Sequence, residues 1–196
     1  AAAIQTARQQ GHLLVAYAGA HGIANALDSM LDAAALTRHA PVTWLLVGNG
    51  PEKARLGQRI QSENLDRVVL LDAVPKAAIP PLLRSMDVLY IGLQRQPLFR
   101  FGISPNKLMD YMMAARPVIC AIDAGNDPVR DATCGMTIAP EDPAALADAV
   151  NQMCSLSAME RDHMGQSGRV FVKKNHTYPA LAHNFIQAIQ SQRDNE

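Results

Sequence analysis

Apolar residues in this chain gather into short continuous runs, separated by longer stretches where they recur every three or four positions. Residues 13–18, 41–47, 68–71, 87–91 and 118–121 are such runs, and 135–139 is a weaker sixth. A run of four to seven apolar residues bounded by glycine or polar residues reads as a strand buried on both faces, as in a parallel sheet. Between the runs, residues 24–38 place Leu27, Met30, Leu31, Ala34 and Ala35 on one helical face. Residues 51–61 begin with Pro51 at a first helical position, and 76–84 form a short helix with two prolines near its start. Asp142-Pro143 opens a helix to about Cys154, and two more fill 158–174 and 178–192. Residues 1–12 read as a linker or trailing helix, and 92–102 as a loop. Strands alternating with helices predict βαβ units: an α/β, Rossmann-like parallel sheet of about six strands with helices on both faces. Residues 13–196 then form one domain behind the 1–12 linker.

Composition narrows the function classes. A chain of 196 residues suits one domain with an ample core. Lys+Arg and Asp+Glu both count 18, so the net charge is zero and nothing drives electrostatic binding to nucleic acid or anionic membrane. Cys120, Cys134 and Cys154 are odd in number and lack CxxC spacing. They read as reduced core residues of a cytoplasmic protein rather than a disulfide or zinc framework. No pair of histidines has metal-ligand spacing, and no apolar run reaches membrane length.

The candidate chemistry lies where strands give way to helices. The first, second and fourth strands end at Gly19, Gly48 and Gly92, the edge where open parallel sheets bind ligands. His21 sits in the Gly19–Gly22 loop, where it either contacts phosphate or is a solvent-exposed loop histidine. Further on, Ser104 reads as an N-cap with Pro105 at the first helical position. Asn106, Lys107 and Leu108 then offer free backbone amides at the positive end of the helix dipole, and Lys107 adds a charge. Asp110, three residues on, is expected on the same side, where a carboxylate suits the paired hydroxyls of a ribose. Phosphate plus ribose points to a nucleotide. An ordinary capped helix in an α/β protein is the alternative, and Arg95 and Arg100 are either solvated loop residues or charges beside the site.

The segment from Gly102 to Val118 resembles the donor-binding stretch of family four glycosyltransferases, the retaining enzymes of the GT-B fold. Its usual form is Glu-Gly-Phe-Gly/Pro-x-x-x-x-Glu-Ala-Met-Ala-x-Gly-x-Pro-Val. Pro105-Asn106, Met113-Ala114 and Pro117-Val118 fit it, and its second acidic position falls on Asp110. The likeness covers nearly all of residues 13–175 through Tyr17-Ala-Gly19, Val47-Gly-Asn-Gly-Pro51, Asp66-Arg67-Val68, Val74-Pro75, Ser85-Met86-Asp87-Val88 and Asp142-Pro143. Two departures stand out. Gly102 occupies the first acidic position, and the loop after the first strand lacks the family's Arg and Lys, a charge that Lys107 and the loop arginines would supply. The Ser104-Pro-Asn-Lys107 form is similar to the bacterial surface-polysaccharide branch.

The resemblance implies a UDP-sugar donor, a saccharide or lipid-linked acceptor, and no metal or cofactor beyond the donor. Donor contacts would come from Gly19, His21, Gly22, Val74, Arg100, Ser104, Asn106, Lys107 and Asp110. It further implies that this is the C-terminal, donor-binding half of a hexosyl-type transferase and lacks the N-terminal acceptor domain, so that alone it transfers no sugar. Localisation would be cytoplasmic, with the full-length protein able to associate with the inner face of the membrane. Two alternatives stay open: a non-catalytic nucleotide-binding partner of a transferase, or half of a nucleotide-sugar epimerase.

Overall fold

Each predicted apolar run is a strand in the computed structural model, which describes residues 2–193. The strands are β1 (Leu13–Ala18), β2 (Val42–Val47), β3 (Val68–Leu71), β4 (Val88–Gly92), β5 (Val118–Ala121) and β6 (Gly135–Thr137). They form one sheet in the order β3-β2-β1-β4-β5-β6, with every pairing parallel. Alternate residues of β1 feed two apolar layers: Leu13, Val15 and Tyr17 one, Leu14, Ala16 and Ala18 the other. A strand apolar at every position is therefore satisfied on both faces.

The first layer is closed by α2 (Leu27–Leu36), α3 (Lys53–Ser62) and α7 (Pro143–Ser155), through Met30, Leu31, Leu56, Leu146 and Val150. The second is closed by α1 (Ala2–Gln9), α4 (Ile79–Arg84), α5 (Asn106–Met113), α6 (Pro128–Asp131) and α8 (Ala158–Asn175). Their buried contributions include Ala7, Leu83, Leu108, Met112, Val129 and Val172. Residues 2–9, read from sequence as linker or trailing helix, thus form α1. The last helix, α9 (Tyr178–Arg193), follows α8 with Tyr178, Leu181, Phe185 and Ile186 exposed. Among the described residues, no helix is long and apolar enough to cross a membrane.

Local chemistry explains the helix starts. Asp142 accepts from the Ala145 amide at the head of α7, and Ser157 with Glu160 makes a reciprocal capping box on α8. The helix expected over 24–38 begins at Leu27 instead. Residues Ile23–Asn25 form a 3-10 turn and Ala26 adopts a left-handed conformation, φ 48°. The 92–102 loop contains a second 3-10 turn, Pro97–Phe101.

The strand order has one consequence for function. From β1 the chain crosses toward β2 and β3, whereas β4 leads to β5 and β6 on the opposite side. The crevice above the carboxyl ends of β1 and β4 is the topological switch point, and the head of α5 enters it.

Candidate functional site

Beyond β1 the backbone is stitched to the turn after β2. The Gly19 amide donates to the Val47 carbonyl (2.9 Å), the His21 amide to the Asn49 carbonyl (2.8 Å), and the Glu52 amide to the His21 carbonyl (3.0 Å). A Cβ at Gly48 would stand 1.8 Å from the Gly19 carbonyl oxygen, so glycine here is set by close backbone approach. Lys53 secures the neighbouring strand ends, donating to the carbonyls of Gly48 (3.0 Å) and Leu71 (3.3 Å) and to Asp72 (2.5 Å).

This stitching buries His21 completely, contrary to the reading of it as a solvent-exposed loop histidine. Neither ring nitrogen has a hydrogen-bond partner. Burial pulls its pKa below the ordinary histidine value, with the charges of Lys53 and Lys107 acting the same way, so the imidazole is neutral.

Helix α5 is docked on the same strand end by Tyr111. Its buried hydroxyl receives the Ala18 amide (2.8 Å) and donates to the Ala18 carbonyl (3.1 Å). The helix begins one residue later than expected: Pro105 holds the cap position in extended conformation with no side-chain cap bond, so Ser104 is not the N-cap. The Leu108 amide closes onto the Pro105 carbonyl (2.9 Å) and is spent. The amides of Asn106 and Lys107 remain as the first-turn donors at the positive end of the dipole.

Lys107 turns from this helix head toward the β1 loop. Its ammonium donates to the Tyr17 hydroxyl (2.7 Å) and to Asn25 Oδ1 (3.2 Å), and lies 4.1 Å from the centre of the Tyr17 ring. A Cβ on Gly19 would stand 2.7 Å from Lys107 Cε, so the lysine stem passes through space that a side chain at Gly19 would fill. Burial lowers the Lys107 pKa to about 8.

Asp110 parts company with Lys107. It is exposed and lines a concavity of about 620 Å³ between α4 and α5, with Lys76, Arg84 and Arg169 as the cationic lining and Ile79, Leu83 and Met113 as apolar wall. The hydrogen bonds to Tyr17 and Asn25 draw Lys107 to one flank of the helix and leave Asp110 on the other. The expectation that both side chains share one side is corrected accordingly. Val74, half-buried in the loop after β3, packs against the α5 side of the core.

The remaining expected residues are dispersed. Ser104 and Asn106 are exposed near the helix head. Gly22 starts the 3-10 turn after His21 and borders a separate dent of about 200 Å³ with Glu52 and Arg55. Arg100 is exposed, its guanidinium 4.4 Å from the Phe101 ring centre, and its contacts lie within the 97–101 turn. Gly102 has φ +100°. The adjoining Ile103 backbone exchanges two hydrogen bonds with Asn126, amide to Oδ1 at 2.7 Å and Nδ2 to carbonyl at 2.9 Å. A Cβ at Gly102 would meet that Asn126 Oδ1 at 3.2 Å. Sequence reasoning missed Tyr17, Asn25, Lys53, Tyr111 and Asn126. For Tyr17 and Tyr111 the one signal was a hydroxyl in an otherwise apolar run, which must find a partner when buried.

Similarity to known proteins fits this geometry. The chain superimposes on a sucrose-phosphate synthase from Thermosynechococcus elongatus with TM-score 0.75 and 21% identity, covering 100% of this chain and 50% of that one. It matches Anabaena Alr3699/HepE, in complex with UDP and glucose, with TM-score 0.72 and 19% identity over 97% of this chain and 52% of that one. The C-terminal domain of a glycosyl transferase group 1 family protein from Francisella tularensis gives TM-score 0.68 and 18% identity, covering 89% and 92%. The chain therefore spans about half the length of the first two. At these identities the likeness shows the fold, one Rossmann-like domain of the GT-B type. No curated protein matches the sequence. The model of the glycosyl transferases group 1 family matches residues 12–155, most of the chain and all six strands. With the switch-point crevice, the helix head and that match together, the chain belongs to the glycosyl transferases group 1 family.

Proposed function

We propose that this domain binds the nucleotide-sugar donor, a UDP-sugar, of a retaining glycosyltransferase that builds a bacterial polysaccharide or glycolipid. One observation carries the reading: the ammonium of Lys107 and the first amides of α5 meet the β1 loop at the switch point of the sheet. A diphosphate placed there would find fixed donors and a positive charge where leaving-group charge develops. For Asp110 to accept the ribose hydroxyls, the nucleoside would run from the helix head over the flank of α5 into the α4–α5 concavity that Asp110 lines, with the backbone near Val74 facing the base. No cofactor beyond the donor enters this scheme. Transfer requires an acceptor held within attack distance and water excluded, which a second, acceptor-binding domain closing over this one would provide. The Ser104-Pro-Asn-Lys107 form supports the surface-polysaccharide assignment, with a saccharide or lipid-linked acceptor and a place at the cytoplasmic face of the membrane.

Calorimetric titration with UDP, UDP-glucose, GDP and ADP tests the reading. Binding of UDP and UDP-glucose in preference to the others is expected. Silence with all four overturns the nucleotide assignment, and preference for GDP overturns the choice of base.

A second reading has its own support. Gly102, at φ +100°, holds a conformation that glutamate rarely adopts, so the backbone here disfavours the motif's first carboxylate. That favours a nucleotide-binding, non-catalytic partner. UDP binding without detectable turnover of any donor, when the domain is joined to its acceptor-binding half, would establish it.

A further inference from the structure

Lys107 and three other groups form a closed hydrogen-bonded ring. Lys107 Nζ donates to the Tyr17 hydroxyl (2.7 Å) and to Asn25 Oδ1 (3.2 Å). The Tyr17 hydroxyl in turn donates to the Ala20 carbonyl (2.7 Å), and Asn25 Nδ2 donates to the same oxygen (3.1 Å). An ammonium has three N–H bonds, and the ring uses two. From this geometry we infer that Tyr17 and Asn25 are positioning residues that hold Lys107 out from α5 over the β1 loop and aim its third N–H at the donor diphosphate. The inference rests on the donor-binding reading above and goes beyond it, since it assigns the placement of the cation to two side chains far from the helix that carries it.

The arrangement solves a physical problem. A lysine side chain free in solvent loses much rotamer entropy when it is fixed on a ligand. Here that ordering is complete beforehand, because the stem runs against Gly19 and the ammonium has two fixed acceptors and the Tyr17 ring. Both acceptors also favour the charged form, whereas burial opposes it and wins, leaving the pKa at about 8. The other titratable or charged groups around this point are Tyr17 on β1, His21 beyond it, Lys53 on α3, and Asp110 and Tyr111 on α5. His21 is held neutral, Tyr17 and Tyr111 are pushed above the ordinary phenol range, and Lys53 is paired with Asp72. Lys107 is thus the group whose charge changes near pH 8.

The sign follows from linkage. A diphosphate anion favours the ammonium, so the pKa of Lys107 is higher in the complex than in the free protein. Affinity is therefore level below pH 8 and falls above it as the free protein loses the proton. The experiment measures the UDP dissociation constant at pH 7, 8 and 9 for the wild type, Lys107→Met, Tyr17→Phe and Asn25→Leu, with the melting temperature of each. The wild type should weaken up to about tenfold between pH 8 and pH 9. Lys107→Met should bind roughly ten- to a hundredfold more weakly at pH 7 and lose the fall. Asn25→Leu and Tyr17→Phe should each weaken binding about three- to tenfold at pH 7 and shift the fall to lower pH, because each removes an acceptor of the charged form.

A purely structural role would change the melting temperature and leave the fall at pH 8, and that outcome overturns the inference. So does unchanged binding by Lys107→Met. No UDP binding by the wild type instead overturns the donor-binding reading itself. Asn25, only half-buried, keeps the test usable if Tyr17→Phe fails to fold.

Discussion

Two regions beyond the carboxyl edge of the sheet differ in the way that matters. One is the crevice above β1 and β4, where Lys107, the α5 amides and the β1 loop converge. The other is a cavity of about 700 Å³ beyond β5 and β6, lined by Arg95, Asp123, Asp127, Arg130 and Thr137 among others. The polar groups of the second largely answer one another. Asp127 Oδ1 accepts from the Arg130 amide (3.0 Å) and the Thr137 hydroxyl (2.9 Å), and the Arg130 guanidinium lies 2.9 Å from Asp127 Oδ2. Arg95 stands 3.7 Å from Asp123. Acidic groups outnumber basic ones there, Asp123, Asp127 and Asp131 against Arg95 and Arg130, whereas the crevice gathers the Lys107 ammonium and backbone donors. For a diphosphate, charge and donor geometry decide.

The comparison can be broken at its largest effect first. Gly48→Ala would drive a methyl into the Gly19 carbonyl, 1.8 Å away, and unpick the seam between the β1 loop and the β2 turn. A loss of about 3 kcal/mol is expected by chemical denaturation, with UDP affinity falling in the fraction that stays folded. If the variant melts like the wild type, the seam is not what holds the crevice.

Next in size is a pair of substitutions, Asp110 in the α4–α5 concavity on the far flank of α5 and Arg130 in the 700 Å³ cavity. Asp110→Ala should cost about 1.5–3 kcal/mol of UDP binding, roughly ten- to a hundredfold, without unfolding the domain. Arg130→Ala should leave affinity within about twofold, since its guanidinium is largely exposed and its partner is Asp127. Equal losses in both variants would dissolve the distinction between the donor-binding helix α5 and the 700 Å³ cavity.

The smallest effect is placed on the boundary itself. Gly102→Glu restores the acidic residue of the resemblance but puts a side chain on a backbone with φ +100°, against Asn126. Destabilisation of about 1–2 kcal/mol is expected in a thermal melt, with no gain in UDP-glucose affinity. Tighter binding of the sugar nucleotide by this variant would show that the loop readily accepts the carboxylate.

Particular residues show how far the sequence could be read. The apolar runs became β1 to β6 because burial on both faces of a parallel sheet demands unbroken apolar residues, and that demand is local in sequence. Asp142 predicted the start of α7 because a cap depends on the three residues after it. Ser104 failed by the same logic, since Pro105 in extended conformation moved the cap one position on. Lys107 and Asp110 were expected on one side of α5, and the different directions they take were not readable. His21 was noticed, and its complete burial was not.

What the sequence determined by itself was the order, type and approximate bounds of the elements, the α/β class, and the motif whose family the match over residues 12–155 shows. Each of these follows from periodicity, capping or residue order within a window of about a dozen positions. Tertiary structure alone decided which face of α5 Lys107 serves, that His21 is sealed and neutral, and that Gly102 takes a positive φ that a side chain would strain. The physical reason is sequence distance: Lys107 meets Asn25 across 82 positions and Tyr111 meets Ala18 across 93. Contacts of that span are set by the sheet order, which brings β1 beside β4 and carries the head of α5 over the β1 loop.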